Sequence, residues 1–265
     1  MSYTNPAAYE RFMGRWSARL APPFLRFVGV EAGQHVLDVG CGTGRLSRAL
    51  IDAVPDLEVT GIDPVSDYAS YARQAVPQSR AHFRVGSVEA LPFAAGEFDA
   101  ALALLVLQDL KEPERAVNEM VRVTRPGGTV ATSLWDFEAG MPMFSLLWRA
   151  AEAIAPEAVS RQRRANPGPA RASLDDLNAL WASCGLEDIR GATLELRMPF
   201  ASFEDYWQPF LGGATPTSAF VASLDAETGG ALARELRARL PNADSDGSFI
   251  FSACAWAIKG VVPDR

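Results

Sequence analysis

Cysteine and histidine are scarce: three Cys (Cys41, Cys184, Cys254) and two His (His35, His82) among 265 residues. So few and such scattered cysteines exclude a disulfide framework or a zinc site, and they read as small buried hydrophobes of a reducing compartment. No metal is expected. His35 opens one strand and His82 lies on another; both read as structural, which leaves no histidine to act as a base. Basic excess is also missing, since 25 Lys+Arg stand against 32 Asp+Glu for a net charge of −7. Nothing in that balance attracts a phosphate backbone or an anionic membrane, so neither nucleic acid nor membrane is an expected partner. The apolar runs AALALLVL and FIFSACAWAI fall well short of the roughly 20 residues that cross a bilayer. The first residues, MSYTNPAAYERFMGRW, lack a basic stretch followed by an apolar core, so no signal peptide is read and a cytoplasmic location is expected.

What remains is ordinary for a globular α/β chain, with 48% hydrophobic and 22% charged residues. After about residue 30, short β-branched runs alternate with helical stretches, the pattern of βαβ units and a parallel sheet. HVLDV (His35–Val39), EVTGID (Glu58–Asp63), HFRVG (His82–Gly86), the nearly continuous FDAALALLVL (Phe98–Leu107) and GTVATSLW read as five strands. Helices follow at RLSRALIDA, at SDYASYARQA with Ser66 as its N-cap, and at PERAVNEMVRVT with Pro113 in its first turn. Beyond Trp135 the rhythm changes. Met141–Ile154 reads as a helix, Pro156–Ser173 as a loop rich in proline and arginine, and LDDLNALWASCG as a helix stopped by Gly185. LEDIRGATLELRM and SFIFSACAWAIKG read as strands six and seven. About 50 residues separate them, too many for a bare loop, so that stretch is expected to fold as a helical cap. The whole chain, 1–265, reads as a single domain with cap segments near 1–30, 140–173 and 199–245.

The segment VLDVGCGTGRLSRAL carries Gly40, Gly42 and Gly44 at alternate positions. A tight strand-to-helix turn needs glycine where φ is positive or a Cβ collides, and it aims backbone N–H groups at a ligand. Dinucleotide folds place their glycines as G-x-G-x-x-G. Here Arg45 stands where the third glycine belongs, and Asp38 lies where a pyrophosphate would be repelled. The turn suits a ligand with an amine or sulfonium. Asp63 closes the second strand 19 residues past Gly44, where a carboxylate accepts bonds from ribose hydroxyls in either cofactor class.

DVGCGTGRLSRAL, TGIDPVSDYASYARQ, GSVEALPFAAGEFD and LLVLQDLKEPERAVNEMVRVTRPGG together resemble the class I S-adenosylmethionine-dependent methyltransferases, over about Tyr9 to Leu134. More narrowly they resemble the small-molecule branch that includes the ubiquinone/menaquinone methyltransferases. The resemblance implies a seven-stranded, doubly wound Rossmann-like sheet of order 3-2-1-4-5-7-6 with the last strand antiparallel. It also implies S-adenosylmethionine as cofactor. Gly40, Gly42 and Gly44 would lie against its methionine and ribose, Asp38 would anchor the amino end, Asp63 would take the ribose hydroxyls and Pro64 would flank the adenine. Ser87 stands where many members have an acid for the adenine amino group, with Val88 beside it. Leu104, with Leu105 next to it, would offer a carbonyl to the methionine amino group. Where the family often has histidines, this chain has Gln108 and Asp109.

Because a sulfonium is already a strong electrophile, such a protein mainly aligns its acceptor and excludes water. Tyr9, Phe12, Met13 and Trp16 recur on one helical face, as a lid or as core, and Arg15 is a candidate for the methionine carboxylate. FASFEDYWQPFLGG offers an aromatic wall, either for an apolar or aromatic small-molecule acceptor or for plain core packing. Trp16, Gln108, Tyr206 and Trp207 are therefore acceptor-binding candidates, and Asp109, Tyr206, Tyr9 and Asp136 are the available bases. Arg161, Arg163, Arg164 and Arg171 read as a solvated loop or as a lure for an acidic acceptor. The expected activity is methyl transfer to a small apolar or aromatic molecule. A non-catalytic S-adenosylmethionine-binding module and a nicotinamide oxidoreductase are the alternatives.

Overall fold

The β-branched runs do become strands, and their C-terminal ends converge on one edge. In the computed structural model, which describes residues 5–76, 79–166, 172–212, 215–241 and 247–264, seven strands form one sheet. They are β1 (His35–Val39), β2 (Glu58–Asp63), β3 (Ala81–Val85), β4 (Phe98–Leu104), β5 (Thr124–Trp135), β6 (Glu187–Phe200) and β7 (Phe249–Val261), in the order 3-2-1-4-5-7-6. β1 to β5 pair in parallel, whereas β7 runs antiparallel to both β5 and β6. The order reverses between β1 and β4, the switch point where open α/β sheets hold ligands.

β4 stops earlier than its apolar run suggests. The Leu105 N–H still donates to the Ser133 carbonyl at 2.8 Å, but Leu105 takes φ +64° and the chain turns into a short 3₁₀ segment, Leu107–Asp109. A leucine in the left-handed region costs on the order of 1 kcal/mol, so surrounding structure has to impose the turn.

Helices cover both faces. On one, α2 (Arg15–Val28) buries Leu20, Ala21, Phe24, Leu25 and Val28, and it ends on left-handed Gly29; α3 (Arg45–Ala53) packs beside it through Leu46, Leu50 and Ile51. On the other, α5 (Pro113–Val123) and α8 (Leu174–Ser183) enclose Val117, Met120, Leu177 and Trp181. α4 (Ser66–Ala75) flanks β2 and β3; it starts at Ser66, with Val65 as the N-cap and no side-chain cap bond, so Ser66 does not cap it. The chain enters through α1 (Pro6–Tyr9) and a π-helical turn, Glu10–Gly14, that runs into α2.

The expected cap is helical. α9 (Phe203–Trp207), α10 (Pro216–Ala222) and α11 (Ala226–Arg239) follow β6, capped in turn by Ser202, Thr215 and Asp225. α6 (Pro142–Ile154) packs on α11 through Leu147, Ala150 and Ala151. The expected loop at Pro156–Ser173 is largely a helix, α7 (Pro156–Ala165), because Pro156 sits in the first turn, where a missing N–H costs nothing. Arg161 and Arg163 pair there with Glu157 and Glu152, and Arg164 bonds Ser160; Arg171 lies outside the described residues. No helix among the described residues is long and apolar enough to cross a membrane.

Candidate functional site

At the end of β1 the backbone is left-handed at Gly40, Gly42 and Gly44, with φ +69°, +51° and +81°. A Cβ on Gly40 would come within 2.6 Å of the Val106 side chain, so close packing as well as φ demands glycine there. On Gly42 a Cβ would meet nothing nearer than the Tyr68 ring at 3.8 Å. That side of the turn is open, and a side chain would stand in the space. Gly44 is different: it is the N-cap of α3, against Ala72, and it does not border the cleft.

Two carboxylates fix the turn. Asp63, 8% exposed, accepts the Gly42 N–H at 3.0 Å and the Val65 N–H at 2.9 Å, tying β2 to the glycine turn. Burial raises its carboxyl above the ordinary value, against the pull of those two N–H groups. Asp38, 1% exposed, accepts from both the N–H and the hydroxyl of Ser47, at 3.0 and 2.6 Å. It therefore holds the first turn of α3 and does not line the cleft, contrary to the expected contact with a ligand's amino end. Burial pushes its carboxyl up to about 7.

The turn opens into a cleft of about 760 Å³. Of the residues singled out from sequence, Tyr9, Met13, Gly40, Gly42, Asp63, Pro64, Val88, Leu104, Leu105, Gln108, Asp109 and Arg163 border it. Tyr9 shares a hydrogen bond with Ser17 Oγ at 3.3 Å, and burial raises its phenol pKa. Gln108 accepts the Trp135 N–H at 3.2 Å, which joins the turn after β4 to the end of β5. Arg45 is held by Glu10 of the π-helical turn, so this cation is spent on pinning the N-terminal helix over the glycine turn.

Several expectations fail. Ser87 is exposed, and its hydroxyl accepts the Glu89 N–H; only its neighbour Val88 reaches the cleft. Arg15 pairs with Asp205 at 2.7 Å and lies over the rings of Trp16 and Phe200, away from the cleft. Trp16, Tyr206 and Trp207 are core: they are 1%, 0% and 9% exposed, and the Tyr206 hydroxyl donates to the Met143 carbonyl at 2.7 Å. Tyr206 is therefore neither a base nor an acceptor contact. Asp136 is tied to the Glu138 and Ala139 N–H groups. His35 bonds Thr60 and packs on Phe98, while His82 is exposed on β3.

The aromatic wall of the cleft comes from elsewhere: Trp135 and Phe137 at the end of β5, and Phe144 and Trp148 on α6. Phe144 and Trp148 are four residues apart, hence on one helical face, and Trp135 and Phe137 follow a strand's C-terminal end. Those were the available signals. Thr215, Pro216 and Thr217, at the start of α10, close the far side.

A family model described as a methyltransferase domain matches residues 37–132. A demethylmenaquinone methyltransferase of Renibacterium salmoninarum is 36% identical over 132 residues, 48% of this chain and 54% of that protein. An O-methyltransferase of Penicillium expansum is 33% identical over 143 residues, 51% of each. The chain thus spans about half the length of the curated relatives it matches. Among solved structures, a Haemonchus contortus phosphoethanolamine N-methyltransferase 2 in complex with S-adenosyl-L-methionine superposes with a TM-score of 0.61 at 18% identity, covering 99% of this chain and 58% of that one. Residues 37–132 thus match a methyltransferase-domain model, and nearly the whole chain shares the fold of that solved methyltransferase.

Proposed function

We propose that the protein transfers a methyl group from S-adenosylmethionine to a small apolar or aromatic acceptor. One observation carries the reading: a single cleft runs from the glycine turn and Asp63 to the aromatic wall of Trp135, Phe137, Phe144 and Trp148. The near end fits the cofactor. Gly42 leaves a space that any Cβ would enter, Asp63 stands at the strand end where ribose hydroxyls are taken, and Asp63 with Asp109 favours a cationic ligand over a pyrophosphate. Gly40, Gly42, Asp63, Pro64, Val88, Leu104 and Leu105 would hold it. Bound there, S-adenosylmethionine supplies an electrophilic methyl on a sulfonium.

The protein's own part is alignment and exclusion of water. The N-terminal helix, pinned through Glu10 and Arg45, covers the glycine turn. The aromatic wall orients a flat or apolar acceptor. Asp109 and Tyr9 are ionisable groups that border the cleft; Asp109 takes a proton where the acceptor must lose one, while the raised pKa of Tyr9 keeps that phenol protonated. Incubation with methyl-labelled cofactor and a small-molecule extract should give a labelled apolar product. Binding of the cofactor without label transfer to any extract would defeat the enzymatic reading and leave a binding module.

A further inference from the structure

Three buried polar side-chain atoms lack a hydrogen-bond partner among the described residues: Arg15 Nε, Trp16 Nε1 and the Tyr68 hydroxyl. Arg15 and Trp16 belong to the packed contact with Phe200 and Asp205 described above. Tyr68 alone borders the cleft. It sits in the first turn of α4, 4% exposed, with its ring edge facing the open side of Gly42 and an edge-to-face contact with Tyr9 at 5.8 Å between centroids. A buried hydroxyl with no partner costs free energy, so native structures retain few of them without a reason.

The sequence offers no reason in packing. Phenylalanine would fill the same volume against Gly42 and Tyr9 without the penalty. Burial holds the phenol protonated, with Tyr9 and the Asp63 charge adding to that effect, so the group is a hydrogen-bond donor on a side chain that borders the cleft beside Gly42. We infer that the Tyr68 hydroxyl donates a hydrogen bond to the ribose of the bound nucleoside cofactor, acting with Asp63 as a second ribose-binding side chain. This inference rests on the cofactor assignment proposed above. The arrangement divides the work by chemistry: the Asp63 carboxylate accepts from hydroxyl hydrogens, and the phenol donates to a ribose oxygen. Binding would also satisfy that donor.

Tyr68→Phe tests this with two readouts of opposite sign. Titration calorimetry should show S-adenosylhomocysteine and 5′-methylthioadenosine, which share the ribose but not the amino-acid tail, each binding about three- to tenfold more weakly. Without ligand, the variant should melt at the same temperature as the parent or higher, because the unpaired hydroxyl is gone. Unchanged affinity for both ligands overturns the inference, as does a loss confined to S-adenosylhomocysteine, which would place the bond on the amino-acid tail. A lower melting temperature of the ligand-free variant overturns it too, by showing that the hydroxyl serves the fold. Failure of the parent protein to bind S-adenosylhomocysteine would instead refute the cofactor assignment itself.

Discussion

Single side chains at this site divide between those that shape the turn and those that face the cleft, and the two carboxylates illustrate the difference. Asp63 does both, since its oxygens accept two backbone N–H groups and also border the cleft. Asp63→Asn keeps an acceptor oxygen but loses the charge, and it should weaken S-adenosylhomocysteine binding by about 1.5–3 kcal/mol, as for a hydrogen bond to a charged group. Calorimetry on the folded variant checks this. Asp38 serves the fold alone, and it does so at a cost that depends on pH. Its folded pKa of about 7 lies above the ordinary 3.8, so between those values the folded state holds a proton that the unfolded chain has released. Stability from this group is therefore full below pH 3.8 and falls as pH rises towards 7. Denaturant melts of Asp38→Asn against the parent should show the parent losing ground over that interval, with the gap constant above it.

At the scale of elements, the aromatic stretch after β6 takes the core reading that its sequence left open, and the cleft wall comes from α6 instead. Tyr206 meets Phe200, Phe210 and, on β7, Phe249 and Phe251 edge to face, and Phe200 stacks on Phe249. Tyr206→Phe should cost about 1–3 kcal/mol in denaturant unfolding, because the Met143 carbonyl loses its donor, and should leave cofactor affinity unchanged. Phe144 and Trp148 belong to the cleft instead. Trp148 lies on Phe220 at 4.9 Å between centroids and closes the acceptor end. Trp148→Ala should leave S-adenosylhomocysteine binding intact while lowering methyl transfer about tenfold or more, read as kcat/KM once an acceptor is in hand. The sequence marked the first stretch as aromatic and the second only as a helix, and neither pattern says what covers a face. Whether neighbouring protein or a ligand covers it depends on where β7 lies, and β7 is about 40 residues away in sequence.

For the molecule as a whole, the cap and the sheet share a core. One buried cluster joins Phe12 and Trp16 of the N-terminal helices, Leu147 of α6, Phe210 and Leu232 of the cap, and Phe249 and Phe251 of β7. An independently folding cap would need its own enclosed core, which this one borrows from the sheet. We propose that the described residues fold as one cooperative unit. Urea unfolding followed by tryptophan fluorescence and by far-ultraviolet circular dichroism should give coincident transitions. An early fluorescence transition from Trp148 and Trp207, ahead of the loss of secondary structure, would separate the cap from the sheet.

By itself the sequence determined the strands, their order by resemblance, the helical nature of the cap and the ligand turn. These follow from local rules: β-branched runs, glycine spacing, a carboxylate closing a strand, proline in a first turn. Asp63, Pro64, Val88 and Gln108 were legible as cleft residues for the same reason, lying at or after strand ends that the pattern locates, and Tyr9 through its helical spacing with Phe12, Met13 and Trp16. Tertiary structure alone decided which aromatic faces meet protein and which meet the cleft, and that Arg15 spends its charge on Asp205 while Asp38 spends its own on Ser47. It also decided that, among the described residues, the Tyr68 hydroxyl has no hydrogen-bond partner beside Gly42. The physical reason is that burial and hydrogen-bond satisfaction are properties of contacts between distant segments. A side chain's chemistry is written at its own position, but its partner is not.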